Sequence, residues 1–347
     1  VPVPPAAPAR LADRAPAIRP GALVASLTPP PRFGAVRFAT YVPDPAQPSQ
    51  AAAVRAVESF ARSLGEAPRR RVFRRASEPR GKAGVYLDGG YGVGKTHLLA
   101  SLWHAAPEPK AYCTFAELTH LVGALGFAPA AEALAGHRLL AIDEFELDDV
   151  GDTVLISTLL RRLADSGVRL AATSNTLPGR LGQGRFAAED FLREIQGLAA
   201  HFDVVRIEGE DYRHRGLPAA PPPVTDDVLV SRAAATPGAT LDDFGALCEH
   251  LASLHPVRYG DLLDGVTLAC WRGVRPVADQ ATALRLVVLA DRLYDRDVPV
   301  LASGVPFDAL FPGEMLDGGY RKKYLRAVSR LVALTREGEG LAAHGEG

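Results

Sequence analysis

Gly89-Gly90-Tyr91-Gly92-Val93-Gly94-Lys95-Thr96 follows the apolar stretch Val85-Tyr86-Leu87 and opens a run that reads as a helix from Lys95 to His104. The spacing is GxxxxGK[ST], and the strand before it and the helix after it are the context in which that spacing has a mechanism. Glycines lacking a Cβ let the backbone wrap closely, so that successive N–H groups point at phosphate oxygens, and the helix start adds its positive dipole end. Lys95 is placed to reach the outer phosphates and Thr96 to offer a hydroxyl to a divalent cation, with His97 next along the helix. A glycine-rich turn without ligand is the competing reading, and it leaves the flanking strand and helix unaccounted for.

Two further strand ends carry the polar groups such a loop needs. Leu139-Leu140-Ala141-Ile142 is apolar throughout and runs into Asp143-Glu144. By itself an acidic pair after a strand reads as an N-cap for the next helix. Beside a phosphate loop it reads as chemistry: Asp143 holds Mg²⁺ with Thr96, and Glu144 orients and activates the attacking water. Val168 to Thr173 is the next strand, ending in Ser174-Asn175, and Asn175 is expected beside Asp143, in reach of both the water and the γ-phosphate. ATP and Mg²⁺ are therefore the expected ligands. Residues 89 to 97 are the nucleotide contacts, and Lys95, Glu144 and Asn175 are the catalytic candidates.

Outward from this site, short apolar strands alternate with helices. Strands are expected at 85–87, 111–113, 139–142, 168–173 and 204–207, with helices at 95–104, 115–125, 152–165 and 188–201 between them. That alternation predicts an α/β fold, a parallel sheet with helices on both faces. Ser49 reads as the N-cap of a preceding helix to about Leu64. Prolines punctuate both sides: residues 1–48 read as a Pro-rich arm, 49–216 as the nucleotide-binding core, 217–225 as a Pro-rich linker and 226–347 as a small, mostly helical domain. Within the last segment helices are expected at 241–251, 278–294 and 322–334, with one short strand at 298–301.

The balance of 39 basic against 40 acidic residues, a formal net charge of -1, gives no global attraction to nucleic acid or anionic lipid. A local exception is the basic stretch from Arg69 to Lys82, which has two readings, a solvated linker face or a contact with nucleic acid or anionic lipid. Cys113, Cys248 and Cys270 fall in no metal-ligand spacing, which points to a reducing compartment and away from a disulfide framework or a zinc site. No stretch has the apolar length of a signal peptide or a membrane span, so a cytoplasmic protein is expected, peripheral to a membrane only through partners.

Beyond the phosphate loop, Asp143-Glu144-Phe145 with Asp149-Val150-Gly151-Asp152, Ala172-Thr173-Ser174-Asn175-Thr176-Leu177-Pro178, and Asp211-Tyr212-Arg213 resemble blocks of the ZapE family of AAA+ P-loop ATPases. Arg285 to Tyr294 and Ser329-Arg330-Leu331 extend the resemblance into the last segment. It implies an AAA+ core, ATP hydrolysis, self-association into a ring or other ATP-dependent oligomer, and division or membrane-associated proteins as partners. It also implies an arginine finger reaching a neighbour's ATP. The position where the family carries that arginine is Ala188 here, so Arg185 and Arg193 are the candidates, each with a surface arginine as its alternative. Arg213 and Arg285 are the further nucleotide-contact candidates the resemblance suggests. A nucleic-acid-associated ATPase such as a helicase loader is the alternative function.

Overall fold

The computed structural model of the chain describes residues 8–16, 24, 27–65, 82–90, 92–145, 150–175, 197, 199–209, 219–318 and 320–343. Two compact units divide it, one of Arg19–Pro29 and Phe33–Tyr212, the other of Val1–Ile18, Pro30–Arg32 and Arg213–Gly347.

In the first unit the apolar runs become β1 (Gly84–Gly89), β2 (Lys110–Thr114), β3 (Leu139–Asp143), β4 (Arg169–Ser174) and β5 (Phe202–Ile207). They form one parallel sheet in the order β2-β3-β4-β1-β5. The chain leaves β1, crosses to the far edge at β2 and works back, so β4 separates β1 from β3. Strands β1 to β4 are covered on both faces, which is why they show no polar alternation, while the edge strand β5 is exposed at Asp203, Val204 and Arg206. Leu139 and Ala141 face one core with Val85, Leu87, Tyr112 and Ala171. Leu140 and Ile142 face the other with Tyr86, Ala111, Cys113, Leu170 and Ala172.

Helices α1 (Pro48–Gly65) and α2 (Lys95–Ala105) cover the first face through Ala53, Val57, Leu98, Leu99 and Leu102. Helices α3 (Phe115–Leu125), α4 (Phe127–Ala135) and α5 (Val150–Asp165) cover the second through Leu118, Leu121, Leu134, Ile156, Leu159 and Leu163. Two details depart from the sequence reading. Helix α1 starts at Pro48, a residue pre-set for a first helical turn, and the hydroxyl of Ser49 does not cap it. That oxygen accepts the backbone N–H of Glu208 at 2.9 Å instead. Helix α4 was not expected; Gly126, at φ 83°, ends α3 and starts it within one residue. The expected helix at 188–201 lies largely outside the described residues, as does the basic stretch from Arg69 through Arg80, and Lys82 at its end donates to the Phe202 carbonyl at 2.9 Å.

The second unit is mostly helical, with α6 (Asp226–Ala235), α7 (Phe244–Ser253), α8 (Gln280–Asp295) and α9 (Arg321–Ala343). It also holds a three-stranded parallel sheet, β6 (Ala239–Asp243), β7 (Leu268–Val274) and β8 (Val300–Gly304), in chain order. Only β8 was foreseen, near 298–301. The expected helix at 241 begins at Phe244, because Asp243 caps it through the N–H groups of Gly245 and Ala246 and leaves 239–243 extended.

The Pro-rich arm is likewise not one piece. Residues 9–14 join the second unit: Ala9 bridges Thr240 in parallel, Leu11 is wholly buried against Phe244 and Leu247, and both oxygens of the buried Asp242 carboxylate accept backbone N–H groups, from Leu11 at 3.1 Å and Ala12 at 2.9 Å. Residues 33–47 instead belong to the first unit.

Candidate active site

Ligands of open parallel sheets bind beyond the carboxyl ends of the strands, where the chain order reverses. Here that edge is formed by the tips of β1, β4 and β3 in turn.

The loop after β1 turns through Gly92 at φ 78° and Gly94 at φ 85°. At Gly94 a Cβ would lie 2.4 Å from the ring of Tyr41, and at Gly89 it would lie 2.3 Å from the Ile207 carbonyl oxygen, so the loop packs too closely for any side chain at either point. Tyr41 fastens the loop from outside, its hydroxyl donating to the Val93 carbonyl at 2.7 Å and its ring standing edge-on to His97 at 5.5 Å. The Nε2 of His97 lies 3.0 Å from the Thr40 hydroxyl and 3.1 Å from the Arg37 carbonyl. His97 therefore holds the 37–41 segment in place. The ammonium of Lys95 donates to the Gly89 carbonyl at 2.7 Å, to the Gly90 carbonyl, and to Asn175 Oδ1 at 2.8 Å, which joins the loop to the tip of β4.

Asp143 is the buried end of β3. Its Oδ1 accepts from Thr96 Oγ1 at 3.3 Å, from the Glu144 N–H at 3.1 Å and from the Thr173 hydroxyl, while its Oδ2 accepts from the Tyr112 hydroxyl at 2.9 Å. Burial, and then the neighbouring Glu144 charge, push this carboxyl above its ordinary range against the three hydroxyl donors. Asp88, at the end of β1, is also raised by burial, against the opposing pull of Arg206, Lys95 and the Gly89 N–H.

Thr96 and Asp143 present hard oxygen donors 3.3 Å apart at the mouth of the loop. That suits Mg²⁺, which takes one or two protein oxygens beside phosphates and waters. Among the described residues no cluster of three or more His, Cys, Asp or Glu could hold a metal alone.

Glu144 leaves the strand at φ 51°, a left-handed conformation uncommon outside glycine and asparagine. Two anchors hold it there. Its N–H is shared between Asp143 Oδ1 and the Thr173 hydroxyl, the latter at 3.0 Å, and the next N–H, of Phe145, donates to the Thr173 carbonyl at 2.7 Å. The buried Phe145 ring packs edge-on against Phe115 at 5.2 Å and Tyr86 at 6.4 Å. Strain of this kind persists where the surroundings over-determine it, and it gathers at functional sites.

The fold thus brings together Gly89, Gly90, Gly92, Val93, Gly94, Lys95, Thr96, His97, Asp143, Glu144 and Asn175. Tyr91, Arg185, Arg193 and Arg213 lie outside the described residues. Arg285 belongs to the second unit, where its guanidinium donates to the carbonyls of Leu251 and Leu254, each at 2.9 Å, and to the Tyr259 hydroxyl at 3.3 Å, closing the carboxyl end of α7. Tyr41, Asp88, Tyr112 and Thr173 were not foreseen as site residues. Strand parity was the available signal for two of them. Tyr112 pairs with Ala141 and Thr114 with Asp143 in the β2–β3 register, so Tyr112, Asp143 and Thr173 share the face that α2 covers.

The sequence model of the family described as AFG1-like ATPase matches residues 19–228 and 224–339. The cell division protein ZapE of Escherichia coli strain K12 is 28% identical over 297 residues, covering 73% of this chain and 78% of that protein. Among solved structures, AMPPCP-bound DnaA from Aquifex aeolicus aligns with 15% identity and a TM-score of 0.38, covering 52% of this chain and about half, 51%, of that one. Domain III of the Thermotoga maritima replication initiation protein DnaA aligns with 19% identity and a TM-score of 0.39, over 59% of this chain and 81% of that chain. With the family match spanning both units and the phosphate loop, Asp143 and Glu144 assembled at one sheet edge, the chain belongs to the AFG1-like ATPase family and is an ATP hydrolase.

Proposed function

We propose that the chain is a Mg²⁺-dependent ATPase that couples ATP binding and hydrolysis to the remodelling or positioning of partner proteins in cell division, at the inner face of the membrane. The observation that carries the chemistry is the convergence of Lys95, Thr96, Asp143, Glu144 and Asn175 at the tips of three adjacent strands. The division role rests on the likeness to ZapE over 78% of that protein's length. Among the described residues no single helix is long and apolar enough to cross a membrane, so membrane placement would come through a partner.

In this reading the loop N–H groups and Lys95 bind the β- and γ-phosphates, and Thr96 and Asp143 hold the metal. Bound Mg²⁺ would supply charge neutralisation across the phosphates. Glu144 orients and deprotonates the attacking water, and Asn175, held by Lys95, positions that water against the γ-phosphate. Arg185 or Arg193 would complete a neighbour's site, which makes the working form an ATP-dependent oligomer. The helicase-loader alternative rests on the basic stretch at 69–82, and nothing in the described residues adds to it.

Glu144→Gln tests the reading. ATP binding should persist, turnover should fall by at least about a hundredfold, and the ATP-bound variant should sediment as an oligomer. Undiminished turnover would remove Glu144 as the base. A variant that stays monomeric at saturating ATP would remove the trans-acting arginine.

A further inference from the structure

The face of the sheet covered by α2 is apolar through its middle, with Lys110 and Arg169 at the strand starts and polar groups again where it meets the site. Tyr112 sits on that face, 2% exposed, in one cluster with Leu98, Leu99, Leu102, Leu139 and Ala141. A phenylalanine would fill the same space. The hydroxyl is the part that needs explaining, because a buried hydroxyl is retained at no cost only when it is hydrogen-bonded. It donates to Asp143 Oδ2 at 2.9 Å, reaching diagonally along the pleat, since its direct register partner is Ala141.

The remaining described donors to this carboxylate, Thr96 Oγ1, Thr173 Oγ1 and the Glu144 N–H, all address Oδ1. The two oxygens turn together about the Cβ–Cγ bond, so the donor on Oδ2 holds from the second side the rotation that the Oδ1 donors hold from the first. The angle at which Asp143 faces Thr96 is thereby braced from β2, the strand on the far side of Asp143 from the phosphate loop.

We propose that Tyr112 is a positioning residue for the metal-holding carboxylate: its hydroxyl sets the rotation of Asp143 so that the pair Thr96–Asp143 is pre-formed for Mg²⁺. The proposal rests on the reading of Thr96 and Asp143 as the metal-holding pair. Pre-organised donors lower the cost of binding because less has to be ordered at the moment of capture. In this role Tyr112 acts through Asp143 rather than by contact with nucleotide or metal.

The test is Tyr112→Phe in the full chain, which deletes one oxygen and keeps the ring. The Mg²⁺ concentration for half-maximal turnover should rise by about tenfold, equivalent to about 1.4 kcal/mol. Turnover at saturating Mg²⁺ should stay within about twofold, and ATP affinity measured without metal should be unchanged. Independently of activity, Mn²⁺ binding to the protein–ATP complex, read by electron paramagnetic resonance, should weaken by the same factor. In an Asp143→Asn background the substitution should have no further effect on Mn²⁺ binding. A lowered melting temperature with an unchanged metal requirement would overturn the proposal and leave Tyr112 a packing residue. Equal losses in both Asp143 backgrounds would overturn it as well. If instead Asp143→Asn leaves Mn²⁺ binding intact, the metal-holding assignment itself fails, which is a distinct outcome.

Discussion

The ammonium of Lys95 donates to the side-chain oxygen of Asn175 at 2.8 Å, so the phosphate loop and the tip of β4 are joined by one hydrogen bond across the site. The two residues lie 80 positions apart in the chain and meet because β1 and β4 are adjacent, with Asp88 opposite Ser174. Asn175→Ala should lower turnover by about a hundredfold or more, in the range found when one pre-organised polar group is removed from a reacting centre. Lys95→Ala should abolish ATP binding as well. Steady-state hydrolysis alongside fluorescent-nucleotide titration separates the two effects.

Glu144 offers a test of stored strain. At φ 51° any L-residue is disfavoured by about 1 kcal/mol or more relative to glycine. Glu144→Gly and Glu144→Ala both remove the carboxylate and should be equally inactive. The glycine variant should nonetheless be the more stable of the two by about 1 kcal/mol in urea denaturation. Equal stability would mean that the turn relaxes once the carboxylate is gone.

At Gly94 the left-handed turn and the Tyr41 ring act together. Gly94→Ala places a methyl within 2.4 Å of that ring and also strains the backbone at φ 85°. ATP binding should be lost in the single variant. Combining it with Tyr41→Ala should not restore it, because the second substitution clears the clash and leaves the strain. Recovery in the double variant would assign the defect to the clash alone.

Leu11 is wholly buried in the core of the second unit, 231 residues before the end of the carboxylate contact made by its own N–H to Asp242. Leu11→Ala in the full chain should destabilise that unit by about 2–5 kcal/mol, the usual cost of such a truncation in a core. Nucleotide affinity should change little. A shift within about 0.5 kcal/mol, the size of an ordinary surface substitution, would show that residues 9–14 contribute little to the fold.

Cys270 predicts an alkaline limit. Burial first, and the nearby Asp242 second, push its thiol up to about 12 from an ordinary 9.0. The folded chain therefore keeps a proton that the unfolded chain releases. Its contribution to stability is complete below pH 9 and is lost as pH rises from there toward 12. Denaturation midpoints between pH 8 and about 10.5 should fall less steeply for Cys270→Ala than for the unsubstituted chain. Parallel slopes would show that this thiol is not what titrates.

Much of the first unit was legible because its signals are local. An unbroken apolar run such as Leu139 to Ile142 can only be a doubly covered strand or a buried helix, and the carboxylates after it settle the choice beside a phosphate loop. The strands β6 and β7 were not legible for the opposite reason. Ala239-Thr240-Leu241-Asp242-Asp243 ends in two acids that read as polar helix-start residues. Yet Asp242 is buried because the distant N–H groups of Leu11 and Ala12 satisfy it. No window of sequence around residue 242 contains that information.

By itself the sequence determined the phosphate loop, its lysine and hydroxyl, the carboxylate pair, the polar tip of the following strand and the alternation that makes a parallel sheet. Each of these depends on neighbours within a few residues, where spacing and backbone geometry act directly. The tertiary structure decided which strands lie side by side, and so which side chains share a face. Tyr112 and Thr173 reach Asp143 through that arrangement, the strained turn at Glu144 is held by it, and Leu11 is buried through the same kind of long-range placement. Pairing order and register bring together residues that have no relation along the chain.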